Sequence, residues 1–139
     1  MPDRMYKFEF KDCSLLSAHY DLNRNFVPGP DIQVNTSISL THDYLDDKNS
    51  LRLFLKAEVS GESAPLNISV EMGSLFTFEK KPKADKIGEI AEINCASILF
   101  PFAREVIADL TRRSGLQPFL LPPVNFVELY KNNHAGESE

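Results

Sequence analysis

Between Cys95 and Gly115 the chain reads CASILFPFAREVIADLTRRSG. Apolar residues crowd around Pro101, and then Ile98, Phe102, Ile107 and Leu110 recur one or two helical turns apart, leaving Arg104, Glu105, Asp109, Arg112 and Arg113 to other faces. That spacing predicts a long amphipathic helix whose entry is buried on more than one side. Pro101 has no backbone N–H and clashes one turn back, so the regular helix is expected to begin or kink there. The basic last turn suits the negative end of the helix dipole, and Gly115 suits the left-handed position just beyond it. A proline-bounded loop, LQPFLLPPV, then leads to NFVE, where Asn125 is placed as N-cap with Glu128 three residues on. A short last helix follows, with Phe126, Leu129 and Tyr130 as its apolar stripe.

Upstream the period is two. In IQVNTSISLTH, Ile32, Val34, Ile38 and Leu40 share one side; in SLRLFLKAEVS, Leu51, Leu53, Leu55, Ala57 and Val59 do so; in LNISVEMGSLFTFE, Leu66, Ile68, Val70, Met72, Phe76 and Phe78. Turns at DYLDDKN and SGESAP join these three into a meander, and Gly73 marks a bulge or a close approach. The earlier stretch YKFEFKDCSLLSAHYDL alternates as Tyr6, Phe8, Phe10 and then changes phase at Cys13 and Leu15, which predicts a long strand with a bulge near Lys11 and Asp12. NRNFVPGPD is too long for a tight hairpin and reads as a crossover, while KKPKADK reads as a charged linker. The fold class expected is α+β: a four-stranded antiparallel sheet followed by a long helix and a short C-terminal helix, the helices on one side. One domain is assigned to residues 1–133, with a polar tail at 134–139 expected to be disordered.

Composition narrows the function. The chain has 139 residues, 42% of them hydrophobic, and 20 acidic against 15 basic residues give a formal charge of −5. An acidic surface disfavours nucleic acid and anionic membranes and favours basic polypeptide segments. Cys13 and Cys95 lie far apart in apolar surroundings, so neither a disulfide framework nor a zinc site is expected, and a reducing cytoplasm fits. MPDRMYKFEF alternates where a signal peptide would have an apolar core, and no run reaches the ~18 apolar residues of a membrane span. There is no glycine-rich phosphate loop, nucleophile elbow or metal-ligand spacing, so no cofactor, no metal and no enzyme activity are expected. His19 and His42 fall in strands and take ordinary structural or surface roles, and the acidic turn Asp43, Asp46, Asp47 lacks the ligand alternation of a calcium loop. What remains is a surplus of apolar surface: Ile98, Leu99, Phe100 and Phe102 around Pro101, with FLLPPV soon after. Such a surplus points to oligomerisation or to binding other chains.

The sequence NCASILFPFAREVIADLTRRSG followed by LPPVNFVELY resembles the SecB export-chaperone family. KD in the first strand, PDIQV at the start of the second and GSLFTF late in the fourth extend the likeness along nearly the whole chain. The resemblance implies a homotetramer built as a dimer of dimers, its long helices sandwiched between enlarged sheets, with Leu99, Phe102, Val106, Leu110 and Arg113 at subunit contacts. It implies binding of unfolded precursor proteins without nucleotide, for delivery to the SecA motor, in apolar grooves that fall here on Phe26, Val27, Ile32, Val34, Phe119, Leu121, Phe126, Leu129 and Tyr130. In the family, acidic and apolar residues on the exposed faces of the first and fourth strands dock the motor's zinc-bearing tail; by the resemblance Asp12 is retained here, while the matching later positions read Leu16, Asn67 and Ser69, and Glu71 is the candidate substitute. That departure keeps open a second reading, a SecB-like chaperone dedicated to one partner such as the antitoxin of a toxin–antitoxin pair.

Overall fold

The structure is a computed structural model, and it describes residues 7–25, 34–61 and 64–134. Its strands are β1 (Phe8–Leu22), β2 (Asn35–Leu45), β3 (Ser50–Ser60) and β4 (Leu66–Phe78), followed by α1 (Ala84–Glu89), α2 (Ala96–Arg113) and α3 (Phe126–Asn133). The sheet is antiparallel throughout in the order β1-β4-β3-β2, so the meander runs β2-β3-β4 and the crossover returns β1 to the far edge. Between β2 and β3 the chain turns through a 3-10 segment, Asp46–Lys48, and Asn49 closes it at φ 45°, a left-handed conformation that asparagine tolerates.

Alternation is realised in the central strands. Leu51, Leu53, Leu55, Ala57 and Val59 of β3, with Leu66, Ile68, Val70, Met72, Phe76 and Phe78 of β4, form the sheet side of the core. The helix side is Ile90, Ala91, Cys95, Ala96, Leu99, Phe100, Ala103 and Ile107. The opposite face is polar and open, and Arg52 of β3 grips Asp43 of β2 across it, Nε to Oδ1 at 2.9 Å. This ion pair holds the Asp43 carboxyl below its usual range through the Arg52 hydrogen bond.

β1 carries two irregularities. Register shifts occur between Phe10 and Asp12, at the predicted place, and again between Leu15 and Ser17. The second bulge turns Leu16 onto the polar face, where it lies over Gly73: a Cβ there would sit 2.9 Å from Leu16 Cδ1. Gly73 therefore marks a close approach of a side chain to bare backbone, not a bulge of its own strand.

The helical half departs from expectation at its start. The helix begins at Ala84, within the stretch read as a charged linker, and continues through a π-helical turn, Ile90–Cys95, into α2 with right-handed helical dihedrals at both joints. Pro101 lies inside α2, exposed, while Leu99, Phe100 and Ala103 beside it are buried. Packing of these neighbours offsets the ~3 kcal/mol that an interior proline costs, and the lost hydrogen bond faces solvent. The end of α2 follows the prediction: Gly115 has φ 83°, its N–H reaches the Arg112 carbonyl at 3.0 Å, and Leu116 N–H reaches Thr111 at 3.2 Å, the paired bonds of a Schellman cap. Asn125 Oδ1 caps α3 by accepting the Glu128 N–H at 3.1 Å.

Candidate functional site

α2 presents two apolar stripes. Leu99, Ala103, Ile107 and Thr111, each four residues from the last, are buried against the sheet. Phe102, Val106 and Leu110 form the next stripe round, and Phe102 stays 41% exposed although its ring meets Phe10 at 5.7 Å. Ile107 thus separates from Phe102 and Leu110, with which the sequence spacing grouped it. Leu99 is fully buried under its own sheet, so its placement at a subunit contact is corrected: it is core, because it falls on the inner stripe. Phe102, Val106, Leu110 and the exposed Arg113 remain on the outward side. Beside them Leu15 and Ala18 of β1 and Val106, Asp109 and Leu110 of α2 enclose a cleft of about 360 Å³. Arg113 Nε and Asp109 Oδ2 pair at 2.9 Å on its rim, and the Arg113 hydrogen bond holds the Asp109 carboxyl below its usual range.

A second apolar surface surrounds the loop from 116 to 125. Val34 at the start of β2 and Phe119 in the loop line one cleft of about 340 Å³ with Val59, Leu66, Thr111 and Leu116. On the other side of the loop, Leu121 floors a cleft of about 210 Å³ with Ile38, Phe100, Pro123 and Val124. Phe126 does not open into either. It is 5% exposed and meets the Phe100 ring edge-on at 5.7 Å, so the groove reading for Phe126 is corrected to an anchor that fixes where α3 begins. Leu129 packs partly against the core, and the Tyr130 ring lies on the His134 ring at 4.3 Å. Phe26, Val27 and Ile32 lie outside the described residues.

Thr111 is the residue that sequence reading missed. A threonine in the last turn of a helix reads as solvent-facing, yet this one is 3% exposed. Its hydroxyl donates to the Ala108 carbonyl at 2.9 Å and accepts the Phe119 N–H at 2.8 Å, so one side chain fastens the loop to α2 and aims Phe119 across the cleft. The one available signal was its spacing, four residues past Ile107.

Asp12 and Glu71 both lie on the polar face of the sheet, opposite Leu75 and Ser17 respectively, with Leu16 between them in sequence register. Cys95 is fully buried, and burial pushes its thiol up to about 12. Cys13 is also raised, first by burial and then by the Asp12 charge. Among the described residues no group of His, Cys, Asp and Glu has the arrangement of a metal site, and no helix is long and apolar enough to cross a membrane.

The model of the family described as preprotein translocase subunit SecB matches residues 5–137. The protein-export protein SecB of Acidithiobacillus ferrooxidans is 34% identical over 134 residues, covering 94% of this chain and 87% of that one. That of Thioalkalivibrio sulfidiphilus is 31% identical over 140 residues, covering 96% and 82%. Among solved structures, the fold is similar to a Mycobacterium tuberculosis SecB-like chaperone in complex with a ChAD peptide from the HigA1 antitoxin, with a TM-score of 0.72 at 18% identity over 84% of this chain and 90% of that one. The four-stranded sheet with its long and short helices, and a match along almost all of the sequence, place this chain in the SecB family, a family of chaperones and not of enzymes.

Proposed function

We propose that the protein is an ATP-independent holdase that binds unfolded precursor polypeptides in the clefts on either side of the 116–125 loop and keeps them competent for export through SecA. The observation that carries this reading is the pair of clefts itself: Val34 and Phe119 line open apolar surface, Leu121 lies buried at the base of the second cleft, and the loop between is fastened by Thr111 on one side and followed by the Phe126 anchor on the other. Burial there is non-directional, at about 25 cal/mol per Å², so many sequences qualify; an acidic chain adds a preference for basic segments. The outward stripe of α2 and the uncovered half of β1 supply the surface for a homotetramer, and several copies of the cleft on one assembly would engage a long client with avidity. The working compartment in this reading is the cytoplasm.

A specific observation favours a second reading, a chaperone dedicated to one partner. Leu16 stands on the sheet face where the family resemblance puts the motor-docking residues, at a position that departs from them, and it covers Gly73. The related fold from M. tuberculosis was solved with an antitoxin peptide.

Refolding of a slow-folding precursor, diluted from denaturant without nucleotide, separates these outcomes. Arrest of refolding at stoichiometric chaperone supports the holdase reading, and co-sedimentation of the complex with SecA supports export. Arrest without any SecA association moves the protein to the dedicated-partner role, and no arrest with any of several precursors rejects a general holdase.

A further inference from the structure

The sequence reading left His42 in a strand without a role and His134 in a disordered tail. In the structure they converge. His42 is on β2, Glu92 is in the π-helical turn and His134 closes α3, three elements far apart in the chain. Glu92 Oε2 lies 3.5 Å from His42 Nδ1, and Glu92 Oε1 lies 3.4 Å from His134 Nε2, so one carboxylate spans two imidazoles with one oxygen for each. The Glu92 side chain is only 12% exposed, against 24% for His42 and 29% for His134. A carboxylate so withdrawn from water needs donors, and the two ring nitrogens are placed to supply them. Tyr130, one turn earlier in α3, packs its ring at a tilt against His134 with centroids 4.3 Å apart, and Gly88 lies alongside the cluster, within ordinary contact distance of His42 and the Tyr130 hydroxyl.

This cluster is well placed to matter. α3 has eight residues, too few to be stable as an isolated helix, so its position depends on what holds its ends. The N-terminal end is fixed by the Asn125 cap and by Phe126 against Phe100. The π-helical turn contributes the fixture at the other end, since Glu92 belongs to it, and the bulge accounts for why a side chain there faces both β2 and α3.

We propose that Glu92 is a positioning residue for the client-binding surface, tethering the C-terminal end of α3 to the sheet edge through His134 and His42 and thereby fixing the helix that begins beside the Leu121 cleft. This role rests on the chaperone reading for its functional half, while the tether itself does not. Glutamine at 92 keeps an oxygen that accepts from imidazole; leucine has similar bulk and accepts nothing.

The experiment uses the full chain at pH 8. Nitrogen spectra of the histidines should show the proton on Nδ1 of His42 and on Nε2 of His134, the atoms that face Glu92, and Glu92→Leu should abolish that preference at both. Hydrogen exchange at the amides of 129–134 should accelerate by about tenfold in Glu92→Leu, less in Glu92→Gln, with protection in β3 and β4 unchanged. Exchange and spectra identical to wild type in Glu92→Leu would overturn the tether. Should Glu92→Leu fail to fold, His134→Leu, at the end of the helix and clear of the core, gives the same test with the same expected acceleration. Affinity for an unfolded tryptophan-containing precursor should then weaken by about fivefold in Glu92→Leu, with partial recovery in Glu92→Gln. A loosened α3 with unaltered affinity would overturn the positioning role. A wild-type protein that binds no precursor at all, with α3 still loosened by Glu92→Leu, would refute the chaperone reading and the positioning role together and leave the tether standing.

Discussion

β3 and β1 carry the same kind of alternation and meet opposite fates. Leu51, Leu53 and Leu55 of β3 are fully buried, whereas Leu15, Tyr20 and Leu22 of β1 are 49%, 43% and 45% exposed. Register places all six on the same face of the sheet, because Leu15, Tyr20 and Leu22 lie opposite Met72, Ile68 and Leu66, which belong to the core. The difference is cover. α2 packs on β4 and β3, and its outward stripe of Phe102, Val106 and Leu110 points toward the space beside β1 without filling it. Alternation reports which face a side chain takes; only tertiary structure decides whether anything lies on that face.

The comparison can be broken at its strong end first. Leu53→Ala should cost about 3 kcal/mol in chemical denaturation, from lost burial and a cavity between β3 and the helix, whereas Leu15→Ala in the dissociated chain should cost a small fraction of that. Equal costs would mean that β1 is covered in solution by its own chain. The outward surface is probed next by Leu110→Asp, which places a charge in the cleft between α2 and β1. For the proposed homotetramer, light scattering should show a smaller species with the monomer fold intact by circular dichroism, and an unchanged mass would remove Leu110 from the proposed subunit contact.

Thr111→Val sharpens the comparison on the helix itself, since it keeps the shape of the inner stripe and removes only the hydroxyl. A loss of about 1–2 kcal/mol is expected, together with faster exchange of the Phe119 amide, because that N–H loses its acceptor. The smallest effect belongs to Cys95. Burial raises its thiol to about 12, so the folded state keeps a proton that the unfolded state releases above its ordinary value near 8.5. The stability this group contributes is whole below that value and is lost as pH rises toward 12. Between pH 8 and 10 the wild-type melting temperature should therefore fall slightly more than that of Cys95→Ala, and native Cys95 should resist alkylation at pH 8.

Much of this was legible in the sequence because the signals were redundant. Three alternating runs separated by turn residues define the meander, and Asn125, Glu128 and Gly115 mark helix ends that the hydrogen bonds reproduce. The start of the long helix was not legible: Pro101 is a strong stop signal read locally, and the π-helical turn at Ile90–Cys95 shifts the phase of the apolar residues before it, so ADKIGEIAEINC does not read as a continuation. The second bulge of β1 was hidden for a related reason. In SLLSA either leucine can take the inner face, and the choice is made by Gly73 on the neighbouring strand, which leaves room for Leu16 alone. Of the candidate site, Val34, Phe119 and Leu121 were placed by the family resemblance; Thr111 left only its spacing from Ile107 as a signal, while Glu92 and the two histidines act through partners distant in sequence and left no local pattern.

The chain contains no tryptophan, which permits the most direct test of client binding. The protein is titrated, without nucleotide, into a chemically unfolded tryptophan-containing precursor whose own fluorescence anisotropy is followed, alongside a variant carrying Val34→Asp and Phe119→Asp. Saturable binding by the wild type that vanishes once the precursor folds, and at least a tenfold loss in the folded double variant, is the predicted result, since each charge would be buried in an apolar cleft. Equal binding by wild type and double variant would contradict the placement of clients in the Val34–Phe119 cleft, and absence of binding by the wild type would contradict the holdase function.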